Sequence, residues 1–173
     1  MGQIRTVLLT DAQAIADIYN PYVRETAITF EEEPVSADAM RSRIEDIIAQ
    51  GYPYIVYEGD DGAVVGYAYA SQFRARHAYR FAAETSLYLK TGHTAQGLGS
   101  QLYTALIARC RGKYHSLLGV VTLPNAASEK LHERFGFTKC AHLRESGLKF
   151  GKWLDVGFWE LLIEHSTYGM EGK

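Results

Sequence analysis

One strand-to-helix transition restricts this chain more than any other stretch. Residues 84–100 read Glu-Thr-Ser-Leu-Tyr-Leu-Lys-Thr-Gly-His-Thr-Ala-Gln-Gly-Leu-Gly-Ser. A strand ends, a turn carries Gly97 and Gly99, and an amphipathic helix opens. Free N–H groups at a helix N-terminus, with the helix dipole behind them, make an anion site. Glycines let a phosphate come close to the backbone. The turn is not a P-loop, which needs Gly-Lys-Ser/Thr. It is not a dinucleotide fingerprint either, because position 102 is Leu and no repeating parallel-strand pattern surrounds it. On the turn alone, a phosphate cradle and a plain helix start are equally open.

Around this segment the pattern gives strand, helix, helix, three strands, helix, strand, helix, two strands. Residues 4–9 read as a strand, and Thr10 with Gln13 as a capping box for a first helix. Ile15, Ile18, Tyr19 and Tyr22 form that helix's apolar stripe. Pro21 lies inside the stripe and predicts a kink or an early end. Ser36 caps a second helix, with Met40, Ile44, Ile47 and Ile48 on one face and Gly51 as its stop. Residues 52–58 and 63–73 form a hairpin across Gly59-Asp60-Asp61-Gly62. Gly66 within it predicts a bulge or a close approach. Further strands are expected at 82–90, 115–122, 137–144 and 153–163, with helices at 98–111 and after Asn125. The fold class is α/β with a mixed sheet and helices on both faces. We find no repeat and no linker, so one domain over 1–173 is expected, with a loose tail after about His165.

Composition excludes several function classes. The chain has 173 residues, 47% apolar and 22% charged, with a net charge of −2. No basic field recruits nucleic acid or an anionic membrane. No apolar run approaches the roughly 20 residues of a membrane span. The first fifteen residues lack a signal-peptide pattern, although Gly2 and Thr6 match the bare myristoylation pattern. Two cysteines, Cys110 and Cys140, are too few for a disulfide framework or a zinc site. The six histidines show no metal-ligand spacing, and no metal is expected. A reducing cytoplasm fits this usage.

The segment Thr94-Ala95-Gln96-Gly97-Leu98-Gly99 resembles the pyrophosphate motif of the Gcn5-related N-acetyltransferase (GNAT) family, Gln/Arg-x-x-Gly-x-Gly/Ala. It departs at Thr94, where the family carries Gln or Arg. Residues 123–137, with Asn125, Ser128, His132, Gly136 and Phe137, resemble the family's downstream Asn-x-x-(Ala/Ser) … Gly-Phe pattern. The resemblance implies the acyl-CoA N-acyltransferase fold: a mostly antiparallel sheet, helices on both faces and a splayed strand pair that takes the cofactor. It implies acetyl-CoA as co-substrate, bound by Leu87, Tyr88, Leu89, Ala95, Gln96, Gly97, Leu98, Gly99, Ser100, Asn125, Ser128 and His132. Asn125 also serves as a helix cap, and His132 also reads as a half-buried packing residue.

Nearly the whole chain resembles the phosphinothricin and methionine-sulfoximine acetyltransferases of that family. The carriers are residues 18–23, 29–31, 73–80 and 151–159, the last with Trp153, Asp155 and Trp159. This implies acetyl transfer to the α-amino group of a small amino-acid-like substrate. Glu84 is the expected base, at the start of the thioester-bearing strand and walled by Phe30 and tyrosines. Burial there would raise its pKa toward working pH. Arg74 and Arg76, with Ala75 between them, are the expected carboxylate ligands; on an extended strand both would point one way. Thr85 and Ser86 would floor the pocket. Phe150 stands where phosphinothricin-specific members carry His, which tilts the reading toward sulfoximine or sulfone acceptors. The general acid stays open. A homodimer is expected, with Tyr52, Tyr54, Tyr57, Tyr67 and Tyr69 as contact area or as ordinary packing.

Three alternatives stay open. The acceptor could be a protein N-terminus, a lysine, a polyamine or an aminoglycoside, an idea that Glu31-Glu32-Glu33 keeps alive. The chain could be a non-catalytic acyl-CoA-binding module. It could be an unrelated α/β protein with a Gly-rich turn.

Overall fold

The computed structural model describes residues 2–94 and 96–163. Ala95 and the tail after His165, both named by the sequence reading, lie outside the described residues.

Seven strands form one sheet: β1 (Gln3–Thr6), β2 (Tyr54–Glu58), β3 (Val64–Gln72), β4 (Ala82–Leu89), β5 (Ser116–Leu123), β6 (Thr138–Lys149) and β7 (Lys152–Leu162). Their spatial order is β1-β2-β3-β4-β5-β7-β6. Only β4 and β5 run parallel; every other neighbouring pair is antiparallel. The helices are α1 (Ala12–Glu25), α2 (Ala37–Ala49), α3 (Leu98–Cys110) and α4 (Ala126–Arg134).

Period-two alternation splits the sheet between two cores. Ile55, Ala68, Ala70, Ala83, Leu117 and Trp159 pack with α3 residues Leu102, Tyr103 and Leu106. Tyr54, Val56 and Tyr67 pack on the other face with α1 and α2 residues Ile15, Ile18, Met40 and Ile44. The tyrosines of the middle strands are therefore internal: Tyr54 and Tyr67 are buried, and Tyr54, Tyr67 and Tyr69 stack on one another. This resolves their packing role and removes Tyr54 and Tyr67 from a dimer surface.

Several sequence expectations need correction. The first strand ends at Thr6, and a single 3-10 turn, Leu9–Asp11, precedes α1. The buried Asp11 carboxylate takes two bonds from the Arg5 guanidinium and one from the Leu8 amide, so this charge cluster, not Thr10, shapes the helix entry. α1 runs past Pro21 to Glu25. Burial of Ile15, Ile18, Tyr19 and Val23 outweighs the one lost backbone bond. β6 continues to Lys149, five residues beyond the expected end. Register shifts at Lys139/Ala141 and Leu143/Gly147 let the strand run on past residue 144, and Phe150 and Gly151, both at positive φ, make a two-residue hairpin turn. At Gly66 both expectations hold. The β2–β3 register skips beside it, and a Cβ there would lie 2.6 Å from Leu89 Cδ2.

Candidate active site

The parallel ladder between β4 and β5 has four rungs, from Ala82↔Ser116 to Thr85↔Gly119. β4 then continues to Leu89 while held by β3, and β5 continues to Leu123 while held by β7. The two strands diverge beyond Thr85 and Gly119 because each follows a different outer neighbour. The result is a fork whose inner edges carry main-chain groups without a strand partner on that side.

A buried polar chain fixes the base of the fork. Thr85 Oγ1 donates to Leu118 O at 3.1 Å, because a carbonyl can only accept. Tyr103 Oη, 2.8 Å from the same oxygen, is then the donor to Thr85. His132 fills the space left by the missing side chain of Gly119, where a Cβ would lie 2.0 Å from its Nε2. His132 Nδ1 is 2.7 Å from Ser128 O and must carry the proton. Burial lowers the His132 pKa, so the neutral ring is favoured, and its single N–H is committed to Ser128. The residue is a packing and positioning group as the structure stands, and not a loaded proton donor.

The fork opens into a cleft of about 580 Å³. It gathers Thr85, Ser86, Leu87, Tyr88 and Leu89 from β4, and Gly97, Gly99 and Ser100 from the turn into α3. Asn125, Ser128 and His132 of the α4 segment close it. Gly97 is left-handed at φ 76°, which aims the first α3 amides at the cleft. Asn125 is the α4 cap, accepting from Ser128 N at 3.1 Å. Of the other expected cofactor residues, Leu98 turns its side chain into the core and Gln96 is exposed beside the cleft lining.

Among the lining residues that sequence reasoning missed, two tie elements together across the site. Tyr22 Oη donates to Leu89 O at 2.6 Å, tying α1 to the end of β4. Arg134 Nη1 donates to Ser100 Oγ at 3.3 Å, which puts a cation beside the α3 N-terminus where Thr94 supplies none. No spacing rule links Arg134 to Ser100, since 34 residues separate them.

Glu84 sits one rung before the fork opens, opposite Ser71 on β3. Direct partners share a face, so Glu84 points to the α1/α2 side, away from Thr85. It is half-buried, and burial raises its pKa above the ordinary 4.5. Ser86, two residues on, shares that face and pairs with Tyr69. Phe30 stands on the same side, its ring seated on Gly147 of β6, where a Cβ would meet it at 2.2 Å. Lys149, unnoticed in the sequence, is buried and donates to Thr29 O at 2.8 Å, pinning the α1–α2 connection to the hairpin. Burial lowers its pKa.

Arg74, Ala75 and Arg76 are exposed and do not lie on a strand. β3 ends at Gln72 and the chain bends into a 3-10 turn at His77–Tyr79, so the argument that two strand positions point one way fails. Arg74 stacks instead over Phe73 and Tyr79, 5.1 and 6.0 Å from the ring centroids. Phe150 is an exposed residue of the hairpin turn. Cys110 is buried, its thiol pushed up to about 12 by burial, and Cys140 is exposed. Among the described residues no three His, Cys, Asp or Glu side chains cluster to hold a metal, and no helix is long and apolar enough to cross a membrane.

Comparison with known proteins gives the same picture from outside. The acetyltransferase (GNAT) domain family matches residues 4–157. The chain is 41% identical over 155 residues to a phosphinothricin N-acetyltransferase of Alcaligenes faecalis, covering 88% of this chain and 78% of that one. It is 37% identical over 167 residues to the L-methionine sulfoximine/L-methionine sulfone acetyltransferase of Salmonella typhimurium, covering 95% and 96%. A Salmonella typhimurium acetyltransferase solved with acetyl-CoA superposes with a TM-score of 0.93 at 34% identity, over 98% of this chain and 99% of that one. A Sinorhizobium meliloti phosphinothricin acetyltransferase solved with acetyl-CoA superposes at 0.90 with 36% identity, over 94% and 88%. With the fork, the Gly-rich turn and the α4 segment converging on one cleft, the chain belongs to the GNAT acetyltransferase family.

Proposed function

We propose that this protein transfers the acetyl group of acetyl-CoA to the α-amino group of a small amino-acid-like acceptor of the methionine sulfoximine or sulfone type, with Glu84 as base. The observation that carries the reading is Glu84 itself: a desolvated carboxylate one rung before β4 and β5 part, facing away from Thr85 on the α1/α2 side. An acceptor reaching the fork from that face meets the base first and the thioester next.

Leu87, Tyr88 and Leu89 offer the unpaired edge of β4 to the pantetheine amides, in the manner of strand addition. The amides of Gly97, Leu98 and Gly99, with Ser100 and Arg134, take the pyrophosphate. Asn125 and Ser128 line the cofactor arm, and His132 sets the fork. An amino-acid ammonium is protonated at pH 7 and unreactive. Glu84 takes one proton from it, directly or through a water, and the nitrogen lone pair attacks the thioester carbonyl carbon. The resulting oxyanion is met by a main-chain N–H near Leu87. The C–S bond breaks as the amide forms. The nitrogen gives up two protons in all and the thiolate takes up one, so one proton is released per turnover. Ser86 floors the acceptor site and Phe30 walls it, while Thr85, expected beside Ser86, faces α3 and instead braces the strand from the other side; the 74–76 loop supplies guanidinium groups for the acceptor carboxylate. A homodimer in the cytoplasm belongs to the same reading.

The test is thiol release from acetyl-CoA with L-methionine sulfoximine, L-methionine sulfone and L-phosphinothricin, on wild type and Glu84→Ala. Turnover with at least one acceptor, lost in the variant, is the expected result. Acetyl-CoA binding without turnover of any of the three would overturn the acceptor and move attention to polyamines and peptide N-termini.

A further inference from the structure

The sheet face that carries Glu84 holds a second concavity, separate from the cofactor cleft. It measures about 270 Å³ and lies between α2 and β3. Met40, Ile47 and Tyr54 give it apolar walls, while Arg43, Asp46 and Ser71 are its polar groups. Ser71 is the direct ladder partner of Glu84, so the concavity begins one strand away from the base and on its side of the sheet. Tyr69, also in the wall, is the direct ladder partner of Ser86 of the acceptor floor and lies within electrostatic reach of Glu84, Arg43 and Glu31.

The charges there are already arranged. Arg43 Nη1 and Nη2 bond Glu31 Oε2 and Oε1 at 3.0 and 2.5 Å, a bidentate pair across 12 residues of sequence. Glu31 follows directly on Thr29 and Phe30, whose backbone Lys149 pins in place. Two of the five guanidinium N–H donors are used by Glu31, which leaves donors for another acceptor atom. The cation itself, however, is neutralised, and Asp46 lies one turn further along α2 with a second carboxylate.

We infer that this concavity takes the side chain of the amino-acid acceptor, that Arg43 reads its far end, and that Glu31 and Asp46 make it selective for an uncharged hydrogen-bond acceptor over an anionic one. The inference rests on the function proposed above. A sulfone or sulfoximine oxygen accepts from a spare Arg43 N–H without adding charge. A phosphinate brings a full negative charge against two carboxylates, and like-charge juxtaposition rejects it. The methylenes between tip and α-carbon lie along Met40, Ile47 and the tyrosine rings.

The experiment measures kcat/KM for L-methionine sulfone and L-phosphinothricin with wild type, Arg43→Met, Glu31→Gln and Asp46→Asn, alongside KM for acetyl-CoA. Wild type is expected to prefer the sulfone. Arg43→Met lowers kcat/KM for the sulfone by about tenfold or more through the acceptor KM, while KM for acetyl-CoA stays put. Glu31→Gln and Asp46→Asn shift the ratio toward phosphinothricin by about tenfold between them. A wild type that is active and Glu84-dependent, but whose acceptor ratio ignores all three substitutions, overturns the side-chain assignment alone. A wild type that acetylates no amino acid overturns the functional reading and this assignment with it.

Discussion

Gly119→Ala is the smallest substitution that tests how the fork is held open. Gly119 lies on the last rung of the β4–β5 ladder. An added Cβ would fall 2.0 Å from His132 Nε2, 2.3 Å from Cδ2 and 2.9 Å from Cε1, all far inside contact distance. The ring has little room to yield. Tyr103 and Phe137 meet it edge-on at 5.5 and 5.2 Å, Trp159 lies at 6.2 Å, and Nδ1 is tied to Ser128 O. The strand is held on one side by β4 and on the other by β7. Gly119 is not in the left-handed region, so alanine brings no backbone strain of its own and the packing conflict is isolated. Overpacking of this kind costs about 1–3 kcal/mol, occasionally more. For a chain of this size that lowers Tm by roughly 2–12 °C. Differential scanning calorimetry on Gly119→Ala, His132→Ala and the double variant measures it. Removing the ring makes room for the methyl, so the double variant should be more stable than the two single losses added together. A Gly119→Ala protein melting within about a degree of wild type, or strictly additive losses, would refute the packing argument.

Two further outcomes follow from the site. Burial holds the Glu84 pKa above 4.5, and a base must be ionised. Accordingly kcat/KM should fall as pH drops through that raised value, and Glu84→Gln should lower kcat by about 10²–10⁴ and lose this limb; an unchanged acid limb in the variant would reject Glu84 as the titrating group. Arg134→Ala should raise KM for acetyl-CoA by roughly three- to tenfold at low salt and less at high salt, with acceptor KM unmoved, since its guanidinium is exposed beside Ser100; an effect independent of ionic strength would argue for lost packing instead.

The sequence signalled the fork well and the acceptor face poorly, for a physical reason. Gly97, Gly99 and Asn125 act through local geometry: a left-handed turn, a bare helix start, a cap. Such features are written in neighbouring residues, so the turn into α3 and the α4 cap could be located from sequence and given a shared role by the family resemblance, and both line one cleft. The acceptor face depends on contacts between residues far apart in the chain. Glu31 meets Arg43 across a loop, Phe30 rests on Gly147, and Lys149 reaches Thr29 over 120 positions. No periodicity encodes these meetings. Arg74 and Arg76 show the converse error. Their spacing of two would turn both to one side of an extended strand, but β3 makes its last pairing at Gln72, and beyond that point spacing says nothing about direction.

The two cavities share one cause in the alternation along β4. Thr85 and Leu87 turn toward α3 and Glu84 and Ser86 toward α1 and α2, so successive residues of a single strand serve opposite partners. Parting from β5 after Thr85 frees the strand's edge between Glu84 and Ser86 on one face and Leu87 on the other. Under the proposed function, a thioester laid along that edge is reached from the far face without either substrate crossing the other. The arrangement needs β4 to stay paired with β3 while it leaves β5, and the bonds that secure this are Tyr103 to Thr85, Thr85 to Leu118 O and Tyr22 to Leu89 O. Each comes from a helix on one face or from β5 itself, and together they hold β4 between the two cavities. Loosening any one of them should therefore disturb both KM values at once, whereas changes at Arg43 or Arg134 should each touch only one.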